Sequence, residues 1–393
     1  MTGLDGSALL RARLRAQHLS GAGLAGVADV VRTFGAVQGQ EFRPALWGLA
    51  RRCASTSAPP GEALPAGQRR PGASESLALF DDGAFLRTHA LRPTWHLMAP
   101  DDARWLLALT GPRVHRTNGT MYRRFDVPEV AKAVDVVAEL VAERPRTRAE
   151  LGQGLAERGI DTTAPPPEPG RLGAGPGITL GLLLMRAELD GVVISGPLQG
   201  RNQTYAPFDE RVPAGYGPLG ATYDEEAALA ELVRRYLATR AAATVKDLAA
   251  WSSLTLTQVR RGLAAVSDDV VPVHGTGDLE GLTFWHLLDA DPRDPDLAAP
   301  GGVDLLQAYD ELFLSYTESR FVAVDPAAAP LVRPGAYVHL VVADGRVVGR
   351  WRWPTGGPED AAALDVQWLR DPGQALLDGL ESARAALAAH LAG

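Results

Sequence analysis

One order of elements recurs three times along the chain: amphipathic helices, then two short strands. The first copy places helical spacing at residues 4–20, 24–34, 43–52 and 74–81, followed by strands at 85–89 and 94–98 around Arg92-Pro93. The second has helices at 128–143, from Thr147 onward and at 178–189, then strands at 192–195 and 202–208. The third has helices at 224–237, from Thr244 onward and at 256–266, then strands at 270–273 and 282–285. Thr147 with Glu150 and Thr244 with Asp247 have the spacing of capping boxes, which fix where those helices begin. Helices closed by a hairpin make a winged helix, so the predicted class is α+β with three tandem winged-helix units at 1–125, 126–220 and 221–300. Pro/Gly/Ser-rich stretches at 54–73 and 165–177 read as surface loops.

The remainder, 301–393, differs. Strands at 337–342 and 346–353 meet at Asp344-Gly345, a strong two-residue hairpin signal; a strand at 365–369 and an amphipathic helix at 372–391 complete a small sheet with a terminal helix. Basic and aromatic side chains alternate through Arg346, Arg350, Trp351, Arg352 and Trp353. Such a hairpin either enters a DNA groove or belongs to a small sheet with a solvated cationic face.

Charge narrows the function. The net charge of -8 excludes a protein that coats nucleic acid nonspecifically, because phosphate neutralisation dominates that kind of binding. A DNA-binding face must therefore be local. All but Lys132 and Lys246 of the 39 basic residues are arginine, and the candidate DNA contacts are Arg43, Arg51, Arg148, Arg260, Arg261, Arg320, Arg346, Arg350 and Arg352. Cys53 is the single cysteine, so no intrachain disulfide forms, and no Cys/His spacing suits zinc. With neither an apolar leader nor a run long enough to span a bilayer, the expectation is a cytoplasmic protein without metal or cofactor.

Between the second and third helices lies Phe34-Gly35-Ala36-Val37-Gln38-Gly39-Gln40, with Pro44 suited to a first helical turn. Gln38 and Gln40 are two carboxamides one residue apart, placed where two helices are expected to meet. They offer donors and acceptors but no titratable group. They either make turn hydrogen bonds at a polar helix end, or position a water or read a base edge. The second role suits a reaction whose leaving group is already activated, such as a purine made cationic by alkylation at N7.

With these pieces assembled the chain resembles the AlkZ-like DNA glycosylases. The resemblance rests on the Phe34 to Gln40 stretch with Ala45-Leu46-Trp47, on Arg87-Thr88-His89 through Leu91-Arg92-Pro93-Thr94-Trp95-His96, on Tyr309-Asp310-Glu311 with Arg320 downstream, and on Asp344 to Gly349. It implies tandem winged helices forming a concave face for double-stranded DNA carrying alkylated purine adducts, Gln38 and Gln40 as catalytic carboxamides, a C-terminal hairpin that probes DNA, and a role in antibiotic self-resistance or DNA repair. Gly39 departs from the family's apolar residue with a side chain and gives that backbone more freedom. Asp310 is either an electrostatic stabiliser or DNA-site residue, or else a structural cap or a salt-bridge partner of Arg320, and Trp95 and His96 are either packed wing residues or ligand contacts. Three unlike units in one chain suit a monomer on one lesion. The competing readings are a non-catalytic winged-helix regulator, which is ordinarily a dimer, and a drug- or adduct-binding protein.

Overall fold

The computed structural model describes residues 3–54, 70–124, 129–163, 177–297, 301–324, 326–332 and 338–393. Most of both predicted surface loops, the first expected unit boundary and Tyr337 lie outside the described residues. The chain divides into two compact units, Met1–Ala78 with Leu229–Gly393, and Leu79–Ala228.

In chain order the elements are α1 (Gly6–Ala16), α2 (Val27–Phe34), β1 (Val37–Gln38), α3 (Phe42–Ala50), α4 (Ala73–Asp81), β2 (Leu86–His89), β3 (Trp95–Met98) and α5 (Pro100–Arg124). Then come α6 (Val130–Glu143), β4 (Arg146–Thr147), α7 (Arg148–Glu157), α8 (Ile178–Leu189), β5 (Val193–Ser195), β6 (Thr204–Pro207) and α9 (Phe208–Arg211). The last part holds α10 (Glu225–Arg240), α11 (Val245–Ser252), α12 (Leu256–Ala265), β7 (Val270–His274), β8 (Thr283–Leu287), β9 (Val303–Leu306), α13 (Glu311–Leu314), α14 (Ala329–Val332), β10 (His339–Ala343), β11 (Arg346–Trp351), α15 (Pro358–Ala362), β12 (Val366–Trp368) and α16 (Gln374–Ala392). Among the described residues no helix is long and apolar enough to cross a membrane.

Local chemistry sets several boundaries. Both expected capping boxes form, at Thr147 with Glu150 and Thr244 with Asp247, and a third joins Thr255 to Gln258. α1 stops earlier than its periodicity predicts, because His18 takes a left-handed φ of 55° just after the cap Gln17. α2 begins later than expected: Leu24 is instead tied to the end of α3's turn, its N–H donating to the Arg52 carbonyl at 2.9 Å and its carbonyl accepting from Ala54 at 2.7 Å.

The unit Leu79–Ala228 contains the β2–β3 hairpin and a sheet in which β6 pairs on one side with β4 and on the other with β5. Its core joins Val137, Leu140 and Val141 of α6 to Leu151 and Leu155 of α7, Leu183 and Leu184 of α8, and Val193.

In the other unit a four-stranded antiparallel sheet has the order β12-β11-β10-β9. Trp47, Leu305, Val341, Trp351, Leu380 and Leu387 form a core between the sheet, α3 and α16. Leu10, Leu14, Leu306, Leu340, Val342 and Val347 form a second core where the sheet meets α1. α1 also packs Leu9 against Val273 and Phe284 of the β7–β8 hairpin. The hairpin expected to probe DNA is thus the inner pair of a sheet. Asp344 and Gly345 have φ of 49° and 78°, the two positive values of a type I′ turn, but the turn is packed: a Cβ on Gly345 would sit 2.6 Å from Leu14 Cδ1.

Candidate active site around the glutamine motif

Helix α2 ends because Gly35 takes a φ of 74°, and its N–H donates to the Val31 carbonyl at 3.0 Å. The chain then straightens. Gln38 lies on the two-residue strand β1, so the motif is not the simple helix-to-helix turn that apolar spacing suggested. Gln38 is buried at 2% exposure, Gly39 is buried and Gln40 is half-buried, which grades the motif from interior to solvent.

What holds the motif is a buried carboxylate. The Gln38 N–H donates to Glu311 Oε1 at 2.9 Å, while Glu311 Oε2 accepts from Arg240 Nη2 at 2.9 Å, Trp251 Nε1 at 3.0 Å and Ser315 Oγ at 2.7 Å. Arg240 also donates to the Phe34 carbonyl at 3.2 Å, so one cation–acid pair fixes both ends of the α2-to-motif connection. Two more buried pairs extend the arrangement. Arg52 grips Asp310 with both terminal nitrogens, at 2.7 and 2.9 Å, and donates to Gln17 Oε1 at 3.0 Å. Arg13 donates to the Ser319 carbonyl and hydroxyl, and Asp247 Oδ1 receives the N–H groups of Thr317, Glu318 and Ser319. Each buried charge is compensated, as burial in low dielectric requires.

Asp310 is therefore an N-cap, accepting from Leu312 N at 2.9 Å, and its ion-pair partner is Arg52. The expected alternative partner Arg320 instead donates Nε to the Tyr316 carbonyl at 2.9 Å. Burial pushes the Cys53 thiol up to about 12, which removes it as a nucleophile.

Directly after the motif, Glu41 occupies the N-cap of α3 without making a side-chain cap hydrogen bond. Its Oε2 lies 3.5 Å from His339 Nε2 on β10. The Ala308 N–H donates to His339 Nδ1 at 3.0 Å, which puts the imidazole proton on Nε2, facing Glu41. Burial lowers His339 to about 4, so the ring is neutral near pH 7, and burial raises the Glu41 carboxyl above its ordinary value. His339 packs in tilted contact with Trp351 and Trp353 at ring-centre distances of 4.8 and 6.1 Å, beside a cavity of about 670 Å³ that also meets Arg350, Arg352 and Asp365.

The remaining candidates divide by environment. Arg43, Arg260, Arg261, Arg346, Arg350 and Arg352 are exposed, and Arg350 donates to Gln367 at 2.6 Å. Arg51 is paired with Asp304. In the unit Leu79–Ala228, His96 is fully buried and Trp95 lies between His89, at 4.4 Å, and the Arg87 guanidinium, at 4.3 Å, with its Nε1 donating to Glu188 at 3.3 Å. Arg148 donates to the Gly177 carbonyl and shares with Arg87 and Trp95 the lining of a cavity of about 520 Å³.

Sequence reasoning missed Glu311, Arg240, Glu41 and His339 as members of the motif's surroundings. Glu311 belongs to the Tyr309-Asp310-Glu311 stretch and Glu41 adjoins Gln40, and those positions were the available signal. Arg240 and His339 offered none, because their partners are far away in the chain.

Residues 31–392 match the family described as DNA glycosylase AlkZ-like. No curated protein matches the chain. Among solved structures, the DNA glycosylase AlkZ of Streptomyces sahachiroi is similar in fold, with a TM-score of 0.73 and 21% sequence identity over 100% of this chain and 98% of that one. A family match over nearly the entire length, on a fold shared end to end, means that the chain belongs to the AlkZ-like DNA glycosylase family.

Proposed function

We propose that the chain hydrolyses the N-glycosidic bond of N7-alkylated purines in double-stranded DNA, with the carboxamides of Gln38 and Gln40 as its catalytic groups. The observation that carries this reading is the clamp on Gln38, whose backbone is fixed by a fully compensated carboxylate while the motif opens toward solvent at Gln40. A fixed backbone limits where the carboxamide can point, and preorganisation of that kind is what stabilising developing charge requires. Cleavage passes through an oxocarbenium-like state. A purine alkylated at N7 is already cationic, so it departs without a strong acid, and carboxamide oxygens can orient water and face the positive sugar. Unmodified purines lack that activation and are spared.

In this reading the protein acts as a monomer, its repeated helix-and-hairpin pattern forms tandem winged helices, and exposed arginines such as Arg43, Arg260 and Arg261 meet phosphates. Bulky, natural-product-derived adducts are the proposed physiological class, which makes self-resistance or repair its role. The test is an end-labelled duplex with one N7-alkylguanine, treated with hot alkali after incubation. Strand breaks at the adduct are expected with the wild type and are expected to vanish in Gln38→Ala and Gln40→Ala; an intact duplex with the wild type would overturn the glycosylase on this substrate.

A further inference from the structure

Hydrolysis leaves one proton to be placed. The water oxygen bonds to C1′, the C1′–N9 bond breaks, and its electron pair leaves with the purine, cancelling the charge that alkylation put there. The attacking water must then lose a proton. A carboxamide cannot accept it at any ordinary pH, so Gln38 and Gln40 can orient the water without completing the reaction.

We propose that Glu41, which lies beside the neutral His339, is the group that receives this proton; the inference rests on the reading of the motif given above. Two other carboxylates near the motif are fully engaged. Glu311 spends one oxygen on the Gln38 N–H and the other on Arg240, Trp251 and Ser315, and Asp310 is held by both terminal nitrogens of Arg52. Both are buried at 1% exposure, out of reach of a water that must move. Glu41 is different in each respect. It is the residue next to Gln40, it makes no cap bond to its own helix, and its side chain is 39% exposed.

His339 is its neighbour. The backbone N–H of Ala308 fixes the ring's tautomer, so the imidazole proton is on Nε2, 3.5 Å from Glu41 Oε2 and beyond normal hydrogen-bond length. A neutral neighbour leaves a carboxylate the capacity to take a proton, of which a guanidinium partner would deprive it. Among the described residues the titratable group recorded against Glu41 is His339 of β10; the cavity beyond that ring adds Arg350 of β11, Arg352 after it and Asp365 before β12. Partial burial raises Glu41's affinity for a proton, in the direction a base near neutral pH needs.

The experiment measures single-turnover excision on a duplex bearing one N7-methylguanine between pH 5 and 9, for the wild type, Glu41→Gln and Glu41→Ala. The wild-type rate is expected to rise with pH as Glu41 ionises. Glu41→Gln is expected to be slower by ~10²-fold with duplex affinity unchanged and the pH dependence flattened. Formate is expected to restore part of the rate of Glu41→Ala, which no purely structural role of Glu41 would allow. A Glu41→Gln enzyme within about threefold of wild type, or one slowed with its pH profile unchanged, overturns the assignment. If the wild type leaves N7-methylguanine in place, the proposed reaction fails and this inference falls with it; a wild type that excises beside an equally active Glu41→Gln sinks only the inference.

Discussion

The backbone of Gln38 is fixed by a group that comes from 273 residues away in sequence. Glu311 does this while neutralising Arg240, itself fully buried. The two tasks are coupled: removing the charge of Glu311 leaves a buried guanidinium without its counter-ion. Glu311→Gln is nearly isosteric and keeps an oxygen for the Gln38 N–H, so its effect isolates the charge. Breaking a buried pair in this way costs about 3–5 kcal/mol, and urea unfolding at pH 7 is expected to show a loss of that size. A loss under about 1 kcal/mol would mean that Arg240 is satisfied by Phe34, Thr239 and Ser315 alone. Tyr309-Asp310-Glu311 stood out in the sequence, yet the sequence could not say which acid served the motif. That depends on which of them α13 turns toward Arg240 and which toward Arg52.

Elements with strong local signals were legible: the Thr147 and Thr244 boxes, the hairpin at Asp344-Gly345 and the terminal helix all lie where the residues put them. What a strand pairs with was not, because pairing is set by distant chain. A strand at 365–369 was expected in the same small sheet, and β12 does pair with β11, but nothing in the alternation of Arg346, Arg350 and Trp351 announced that β9 closes the other side of the hairpin. The turn makes the difference measurable. Gly345 has a φ of 78° and lies against Leu10 and Leu14, so Gly345→Ala meets both backbone strain and a clash. A loss of about 2–4 kcal/mol is expected, the backbone part and the overpacking together, read as a lower urea midpoint with unchanged slope. A hairpin standing free in solvent would lose only the backbone part, about 1–2 kcal/mol.

Over the whole molecule, the net charge of -8 conceals how the cations are used. Arg13, Arg52 and Arg240 are interior, and each fastens the 310–319 segment to a helix distant in sequence. None of the three is among the arginines that the sequence offered as DNA contacts, and burial, not residue type, marks them as structural. The same burial makes stability depend on acid. His339 has its folded value lowered to about 4 from an ordinary 6.5, and His390, which bonds the Pro71 carbonyl at 2.8 Å, is lowered as well. A group with a depressed folded value binds fewer protons folded than unfolded, so its contribution is complete above the unfolded value and is lost as pH falls toward the folded one. For His339 that window runs from about 6.5 down to about 4. One pKa unit corresponds to about 1.4 kcal/mol, so the loss across the window is about 2–3 kcal/mol from this ring, allowing for its residual solvent contact. The melting temperature is therefore expected to fall between pH 7 and pH 4.5, and His339→Gln, which keeps an acceptor for the Ala308 N–H, is expected to flatten the fall by roughly that amount. If His339→Gln melts with the same pH slope as the wild type, the ring is already solvated in the folded state, and the neutral donor it presents to Glu41 is not held there by burial.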